Sequence, residues 1–496
     1  MKRYLSLVVL TALLLSLYGC QNGRDAQNPP IAKQESASEE TNPAETKNDE
    51  PAVALPEMDW DGKAFHVLGM AVLGGYEQFK NFEICTDEQT GDVVNDAVFN
   101  RNLLLADTYN VQITESLFED PQKELKRVVS AGERTYDASF QMIQSIQALT
   151  AFGCFADLNS LPYFDFDKPW WDHNAIDGMT VDGRLYVTTS DFNLRDKSRV
   201  YILCYNNELA SAHQLDDLVP LVRDGKWTID AMTQYCTVFA SDVDGNGKME
   251  IAYDNYGIGA DSGTVVGTLF FALENRIVET DADGRFTLVM QTERAVDSID
   301  KILKLFEPQI GYFSNDTVGK VSYDPTYTFY YKFRDGQQLF FTAFPHMLRN
   351  ASADCEFIYT ILPMPKYDEA QTEYLSIVDF SLGMLFGVPS ICEDSSFSAF
   401  MLEALSHASR STTRRAYYDT TCKCKYYYNE DSAEMLDLIF GNLIYDYGFI
   451  TNIGNLSSIL VGEIPVQKRN VLTSSYKGKE KAAQRALDNL YTTPES

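Results

Sequence analysis

Short apolar runs alternate with amphipathic stretches through the first part of the globular chain, and this alternation restricts the fold more than any single motif. Ala64-Phe65-His66-Val67-Leu68-Gly69 follows the turn Asp61-Gly62 and predicts a strand. Residues 95–109 predict a helix with Val98, Leu103 or Leu104, and Leu105 on its apolar side. Val111-Gln112-Ile113 predicts a strand, residues 121–131 a helix and residues 136–143 another strand. Strand, helix, strand, helix, strand is the α/β pattern. Further helices are expected at 298–306 and 399–408, and buried strands at 339–343 and 357–362. Gly257-Ile258-Gly259-Ala260-Asp261-Ser262-Gly263 is superficially a dinucleotide motif. Its third glycine is out of place, and the segment is expected to be a loop.

The start of the chain sets an address. Lys2 and Arg3 precede an apolar run over residues 5–17, too short for the ~20 residues that span a bilayer. The run ends in Leu17-Tyr18-Gly19-Cys20, which resembles the lipobox of bacterial lipoproteins. That resemblance implies a signal peptide over 1–20, acylation of Cys20, and a mature chain tethered to the extracytoplasmic face of the cell membrane. Residues 21–57 are rich in Asn, Pro, Ala, Ser and Glu, and are expected to form a flexible tether. Its coil reach is about 33 Å.

The formal net charge of −30 argues against a nucleic-acid partner and reads as a soluble, self-repelling surface. With 45% hydrophobic and 12% aromatic residues, the rest of the chain supports a large core in two to three domains or lobes. Nine cysteines are scattered, mostly in apolar strings, and read as buried thiols instead of a disulfide framework. Cys422 and Cys424 have the wrong spacing for a zinc or redox pair. The five histidines form no metalloprotease pair, and neither a G-x-S-x-G elbow nor a Walker loop is present. The 71 acidic residues leave a glycosidase-like carboxylate pair open, so a surface-anchored polysaccharide hydrolase stands as the alternative function.

One local motif suits a cation. Asp242, Asp244 and Asn246 alternate, Gly247 supplies a sharp turn, Lys248 would offer its carbonyl, and Glu250 follows. The twelfth position is Tyr253, one residue before Asp254, so Asp254 or Glu250 would close the shell of a structural Ca²⁺. Aromatics cluster at Trp170-Trp171, over 323–333, and at Tyr417, Tyr418 and 426–428. Such rings either fill core or stack on the apolar faces of sugars. Taken singly, each reads as core, and Trp170-Trp171 is expected to pin its lobe.

The order of segments carries a family resemblance. Tyr136-Asp137-Ala138-Ser139-Phe140, then Gly153-Cys154-Phe155-Ala156-Asp157-Leu158-Asn159, resembles the strand and ligand-loop region of extracellular solute-binding proteins. Gly183-Arg184-Leu185-Tyr186-Val187, followed by 201–209, resembles their G-K-L-Y-A … L-Y-Y-N-K-D-L crossing. Asp224-Gly225-Lys226-Trp227-Thr228 with Asp230, Gly336-Gln337-Gln338-Leu339-Phe340-Phe341, and Leu362-Pro363-Met364-Pro365-Lys366 resemble later segments in the same order.

The resemblance is to the maltose-binding-protein-like branch that serves ABC importers. It implies an α/β, two-lobed fold with a hinge and an interlobe cleft. Lobe 1 is expected over 58–195 and 335–375, and lobe 2 over 196–334 and 376–496. It also implies a monomeric, non-enzymatic protein that captures a small ligand, expected to be a mono- or oligosaccharide, for permease subunits. Position by position, the ligand residues fall at Gln144, Ser145, Asp191, Phe192, Phe344, His346 and Asp379.

Overall fold

The computed structural model describes residues 55–72, 80–317, 328–347, 355, 357–380, 382–418 and 430–491. Cys20, Cys422, Cys424, Tyr323, Tyr327 and Tyr426 to Tyr428 lie outside the described residues. Two main sheets are built from nine strands: β1 Lys63–Met70, β2 Val111–Phe118, β3 Ala138–Met142, β4 Ile202–Asn206, β5 Tyr256–Ala260, β6 Gly311–Phe313, β7 Gln338–Ala343, β8 Tyr359–Leu362 and β9 Met384–Gly387. The helices used below are α1 Val93–Tyr109, α2 Pro121–Ala131, α3 His173–Met179, α4 Ile229–Phe239, α5 Ser262–Ala272, α6 Ser395–Ser411 and α7 Glu430–Gly441.

The first sheet has the order β9-β3-β1-β2, with β1 parallel to both β2 and β3 and β9 antiparallel at one edge. Its helices start and stop where local chemistry demands. Asp92 caps α1 by accepting from the Val94 and Asn95 amides. Asp120 accepts from the Lys123 amide ahead of Pro121 in the first turn of α2, and Gly132 closes that helix at φ 69°. Val98 and Leu105 are buried, as expected, whereas Leu103 and Leu104 are exposed. The stripe that packs on the sheet is Val94, Val98, Arg101, Leu105 and Tyr109. Arg101 belongs to it because its guanidinium donates to the Glu83 and Ile84 carbonyls at 2.8 and 3.0 Å.

The second sheet has the order β8-β4-β7-β5-β6, antiparallel across β8-β4-β7 and parallel across β7-β5-β6. The expected loop at 257–263 is instead β5 running into α5. Its glycines serve packing: a Cβ on Gly257 would lie 2.3 Å from that of Cys236 in α4, and one on Gly259 would lie 2.4 Å from Gln338 Oε1 in β7. The α5 N-terminus is capped by Asp261, which accepts from the Thr264 amide, so a carboxylate sits where a dinucleotide phosphate would.

Strand pairing also redraws the expected lobes. β7 and β8 bond to opposite edges of β4 in the second sheet, and β9 bonds to β3 in the first. α6 packs on the first sheet, with Trp60 and Phe397 ring centroids 4.9 Å apart and Lys63 Nζ 2.8 Å from Asp394 Oδ2. Segment 335–375 therefore goes with the second sheet, and 384–411 with the first. The physical reason is that an apolar strand declares burial on both faces but carries no label for the edge it joins. Downstream, α7 returns to the second sheet, where Ser432 Oγ accepts from the Ile361 amide at 3.1 Å.

Candidate functional site

Residues 195–201 leave the first sheet's lobe and enter β4, and they are the most densely charged buried segment described. Arg195, Asp196, Lys197, Ser198 and Arg199 are all less than a tenth exposed, over one helical turn. Burying such charges is tolerable only where each finds a partner. Asp196 Oδ2 accepts from Lys197 Nζ at 2.9 Å and Thr189 Oγ1 at 3.0 Å, and Lys197 Nζ also reaches Asp172 Oδ2 at 2.8 Å. Arg195 donates to the carbonyls of Lys80 and Leu382 at 3.2 and 3.4 Å.

A second crossing lies alongside. Val200 bridges Val378, and the Asp379 amide donates to the Arg199 carbonyl at 2.7 Å. Helical spacing puts Arg195 and Arg199 on one side of the turn, with Asp196 and Lys197 turned toward Asp172 and Thr189. On the arginine side, Arg199 Nη1 lies 3.8 Å from Asp379 Oδ2, and its guanidinium sits 5.6 Å from the Phe344 ring centroid. Phe344 packs 4.5 Å from Tyr201 and stacks on His346 at 5.5 Å, centroid to centroid. His346 Nδ1–H donates to the Ser198 carbonyl at 3.1 Å. Burial and the nearby Arg199 charge hold this imidazole well below its ordinary pKa, hence neutral.

The location follows from topology. β5, β6 and β7 are mutually parallel, and their C-terminal ends carry Asp261, Ser314 and Phe344. Ser314 Oγ donates to Asp261 Oδ2 at 2.8 Å, and the Tyr201 hydroxyl faces Asp261 and Thr264. Carboxyl ends of parallel strands at a change of chain direction are where α/β folds place ligands. Partly exposed aromatic faces beside a guanidinium and a carboxylate can stack on an apolar ring face and bind its polar substituents.

Of the seven expected ligand positions, the structure brings Phe344, His346 and Asp379 together around Arg199 and Tyr201. Gln144 lies exposed just past β3, beside Ile143, whose amide donates to the Gly383 carbonyl at 2.8 Å. Ser145 is buried, with its hydroxyl donating to Gln122 Oε1 at 3.2 Å. Phe192 is core: fully buried, edge-on to Phe140 at 5.2 Å. Asp191 pairs with Arg410 and Arg414 at 3.3 and 3.1 Å, tying the loop to the end of α6. Burial pushes its carboxyl up to about 6 against the pull of those arginines. Sequence reasoning missed Arg195 and Arg199, because R-D-K-S-R ordinarily reads as an exposed turn. The available signal is two arginines at i and i+4 immediately before an apolar strand.

Trp170 and Trp171 pin the first lobe, as expected. Both are buried, and their indole N–H groups donate to the two oxygens of Glu403 in α6, each at 3.0 Å. In the acidic loop after α4, carboxylate oxygens of Asp242, Asp244 and Asp254 lie within 4.8 Å of one another. The Gly247 and Gly245 amides hold the Asp242 carboxyl below its ordinary range. Asp254 is buried and accepts from the Val243 and Glu250 amides, while Tyr253 faces outward. Glu250 Oε2 accepts from Asn246 Nδ2 at 2.8 Å, and the Asn246 side-chain oxygen accepts from the Lys248 amide. Hard oxygen donors converging this closely fit a divalent cation such as Ca²⁺.

Comparison with solved structures resolves the architecture. UspC of M. tuberculosis matches with a TM-score of 0.55 at 14% identity, over 85% of this chain and 100% of its own. The cyclic α-maltosyl-1,6-maltose binding protein of Arthrobacter globiformis matches at 0.55 and 14%, covering 86% and 99%. UgpB of Mycobacterium tuberculosis, solved with glycerophosphocholine, matches at 0.54 and 12%, covering 81% and 100%. The chain has the two-lobed fold of the solute-binding proteins. No protein-family model matches the sequence, and no curated protein matches it.

The Glu403 clamp yields a pH prediction. Burial raises this carboxyl to about 7, outweighing the indole hydrogen bonds that favour its charged form. A raised acid pKa means the folded state holds the proton more tightly, so this contribution to stability is lost as pH rises from about 4.5 through 7. Glu403→Gln, whose amide does not titrate, should flatten the melting-temperature profile between pH 5 and 8 relative to wild type, removing this group's fall in stability over that range. Superimposable profiles would contradict the assignment.

Proposed function

We propose that this chain is a lipid-anchored, extracytoplasmic solute-binding protein that captures a mono- or oligosaccharide for an ABC importer. The observation that carries this reading is the Phe344–Arg199–Asp379 cluster, placed where the strand ends of one lobe meet the crossing segments. Each lobe supplies a half-site, and a ligand touching both favours the closed arrangement by its differential affinity. Solved proteins of the same fold support a binding role, among them one named for a cyclic maltosyl-maltose and one solved with glycerophosphocholine. The cluster offers a ring face, a guanidinium and a carboxylate, which suits capture without bond cleavage.

Isothermal titration against a panel that includes maltotetraose, cyclic maltosides and glycerophosphocholine should identify a ligand. Phe344→Ala should weaken its binding about tenfold, the scale of one stacked ring, while leaving the melting temperature nearly unchanged. Unchanged affinity in that variant would remove Phe344 from the site. Recovery of a shortened saccharide after incubation would favour the hydrolase alternative.

The anchor belongs to the same proposal. Among the described residues no helix is long and apolar enough to cross a membrane. Attachment in this reading rests on Cys20, whose acyl chains each contribute ~0.8 kcal/mol per buried CH₂, with the 21–57 segment as the arm. Metabolic labelling with palmitate should mark the wild-type protein and not Cys20→Ala, which should appear in the soluble fraction. Equal membrane retention of both would sink the lipid anchor.

The loop of Asp242, Asp244, Asn246, Lys248, Glu250 and Asp254 is proposed to hold a structural Ca²⁺ remote from the ligand cluster. Calcium should raise the melting temperature of the wild type and leave Asp242→Ala/Asp244→Ala unmoved. Equal melting temperatures of the wild type with calcium and with chelator would refute the site.

A further inference from the structure

The buried charges around Arg195 and Arg199 form an alternating series. Arg101 of α1 faces Glu83, Glu83 also faces Arg195, Arg195 also faces Asp379, and Asp379 also faces Arg199. Both Glu83 oxygens accept hydrogen bonds, from Asn81 Nδ2 at 2.9 Å and the Phe82 amide at 2.8 Å, as a carboxylate's do. Burial lowers Arg101 to about 9 and Arg199 to about 10, so both remain cationic at neutral pH. Three guanidiniums thus alternate with two carboxylates, and the series ends in a cation at Arg199. Protonation of Glu83, which its burial favours, only enlarges the positive excess. An excess charge in the interior is costly and little screened by salt. It is retained here in a chain of formal net charge −30.

Arg199 also lies where rings from both lobes come together. From the second lobe, Phe344 sits 5.6 Å from its guanidinium with His346 stacked alongside, both rings partly exposed. From the first lobe, Tyr417 faces both Arg195 and Arg199, and its ring lies 6.3 Å from that of Phe82, which is 38% exposed. Phe82 belongs to the first lobe because the adjacent Asn81 side chain accepts from the Met70 amide of β1 at 2.7 Å. His346 is neutral and donates through Nδ1–H, so its Nε2 is an acceptor suited to a hydroxyl. Building on the reading of this cleft as a saccharide site, we propose that the ligand is an acidic saccharide carrying one negative charge, with a ring face on Phe344 and its anionic group against Arg199. A neutral sugar would stack on the same rings but leave the excess charge of the series uncompensated. A monoanion balances three cations with three anions and gains a charge-assisted hydrogen bond. A phosphate monoester, at about −1.5 to −2, would overshoot that balance. A carboxylate matches the planar guanidinium fork, which makes the ligand a uronic acid.

Isothermal titration of the full chain compares di- and trisaccharides containing glucuronate or galacturonate, the methyl ester of each, maltose to maltotetraose, and glycerophosphoglycerol. Esterification removes the charge and leaves the protein untouched, so this comparison stands even if an Arg199 variant does not fold. An acidic saccharide should bind the wild type at least about tenfold tighter than its ester. Arg199→Gln, with its melting temperature measured alongside, should bring acid and ester to equal affinity by weakening the acid alone. Equal binding of acid and ester, or tighter binding of a maltoside than of any acid, would overturn the charge assignment and leave the saccharide-binding reading standing. Failure of every saccharide to bind, with or without capture of glycerophosphoglycerol, would remove that reading and this proposal with it.

Discussion

The structure depends on keeping five consecutive polar residues, Arg195 to Arg199, out of water between two lobes. Burial of an ion pair is costly, and breaking one by removing a partner costs about 3–5 kcal/mol. The chain meets that cost by drawing partners from distant segments: Asp172 and Thr189 from the first lobe, Asp379 from the second crossing, and Tyr445 from the far end of the second lobe. Each of these contacts is satisfied only when the crossings lie side by side. The polar turn thereby fixes the register of the join, which apolar packing, being non-directional, would leave loose.

The same turn places chemistry. Its arginine face meets Phe344, His346 and Asp379 at the strand ends of the second sheet, and Asp196 and Lys197 meet Thr189, Asp172 and Tyr445. Arg199 and Asp196 thus sit on one turn, the first against Phe344 and Asp379 and the second against Tyr445.

Away from the turn, rigidity comes from the first lobe's aromatic clamp. Glu403 accepts from two adjacent indoles, so a single carboxylate holds α6 against the Trp170-Trp171 loop. Asp191 with Arg410 ties the same helix, and with Arg414 the turn that follows it, to the loop that precedes the 195–199 segment. Of the rings expected to be core when taken singly, Phe329, Tyr330, Phe333, Tyr417 and Tyr418 are buried, whereas Tyr331 is only half-buried. Phe344 differs because it stands just past the end of its strand, where the sheet no longer covers it.

Periodicity and capping residues alone determined the α/β class, the helix from Pro121 to about Ala131, and the first three strands of the first sheet. These are local decisions: an Asp cap, a proline in the first turn and a left-handed glycine act within one turn of chain. Tertiary structure alone decided that β7 and β8 flank β4, that α6 returns to the first lobe, and that Phe192 fills core while Phe344 lines a site. It also turned an ordinary-looking R-D-K-S-R into a buried join. The physical reason is that burial and partner choice for a charge or an apolar strand are settled by segments more than a hundred residues away. Asp379 and Tyr445 illustrate the point, since nothing next to them in the chain announces Arg199 or Asp196.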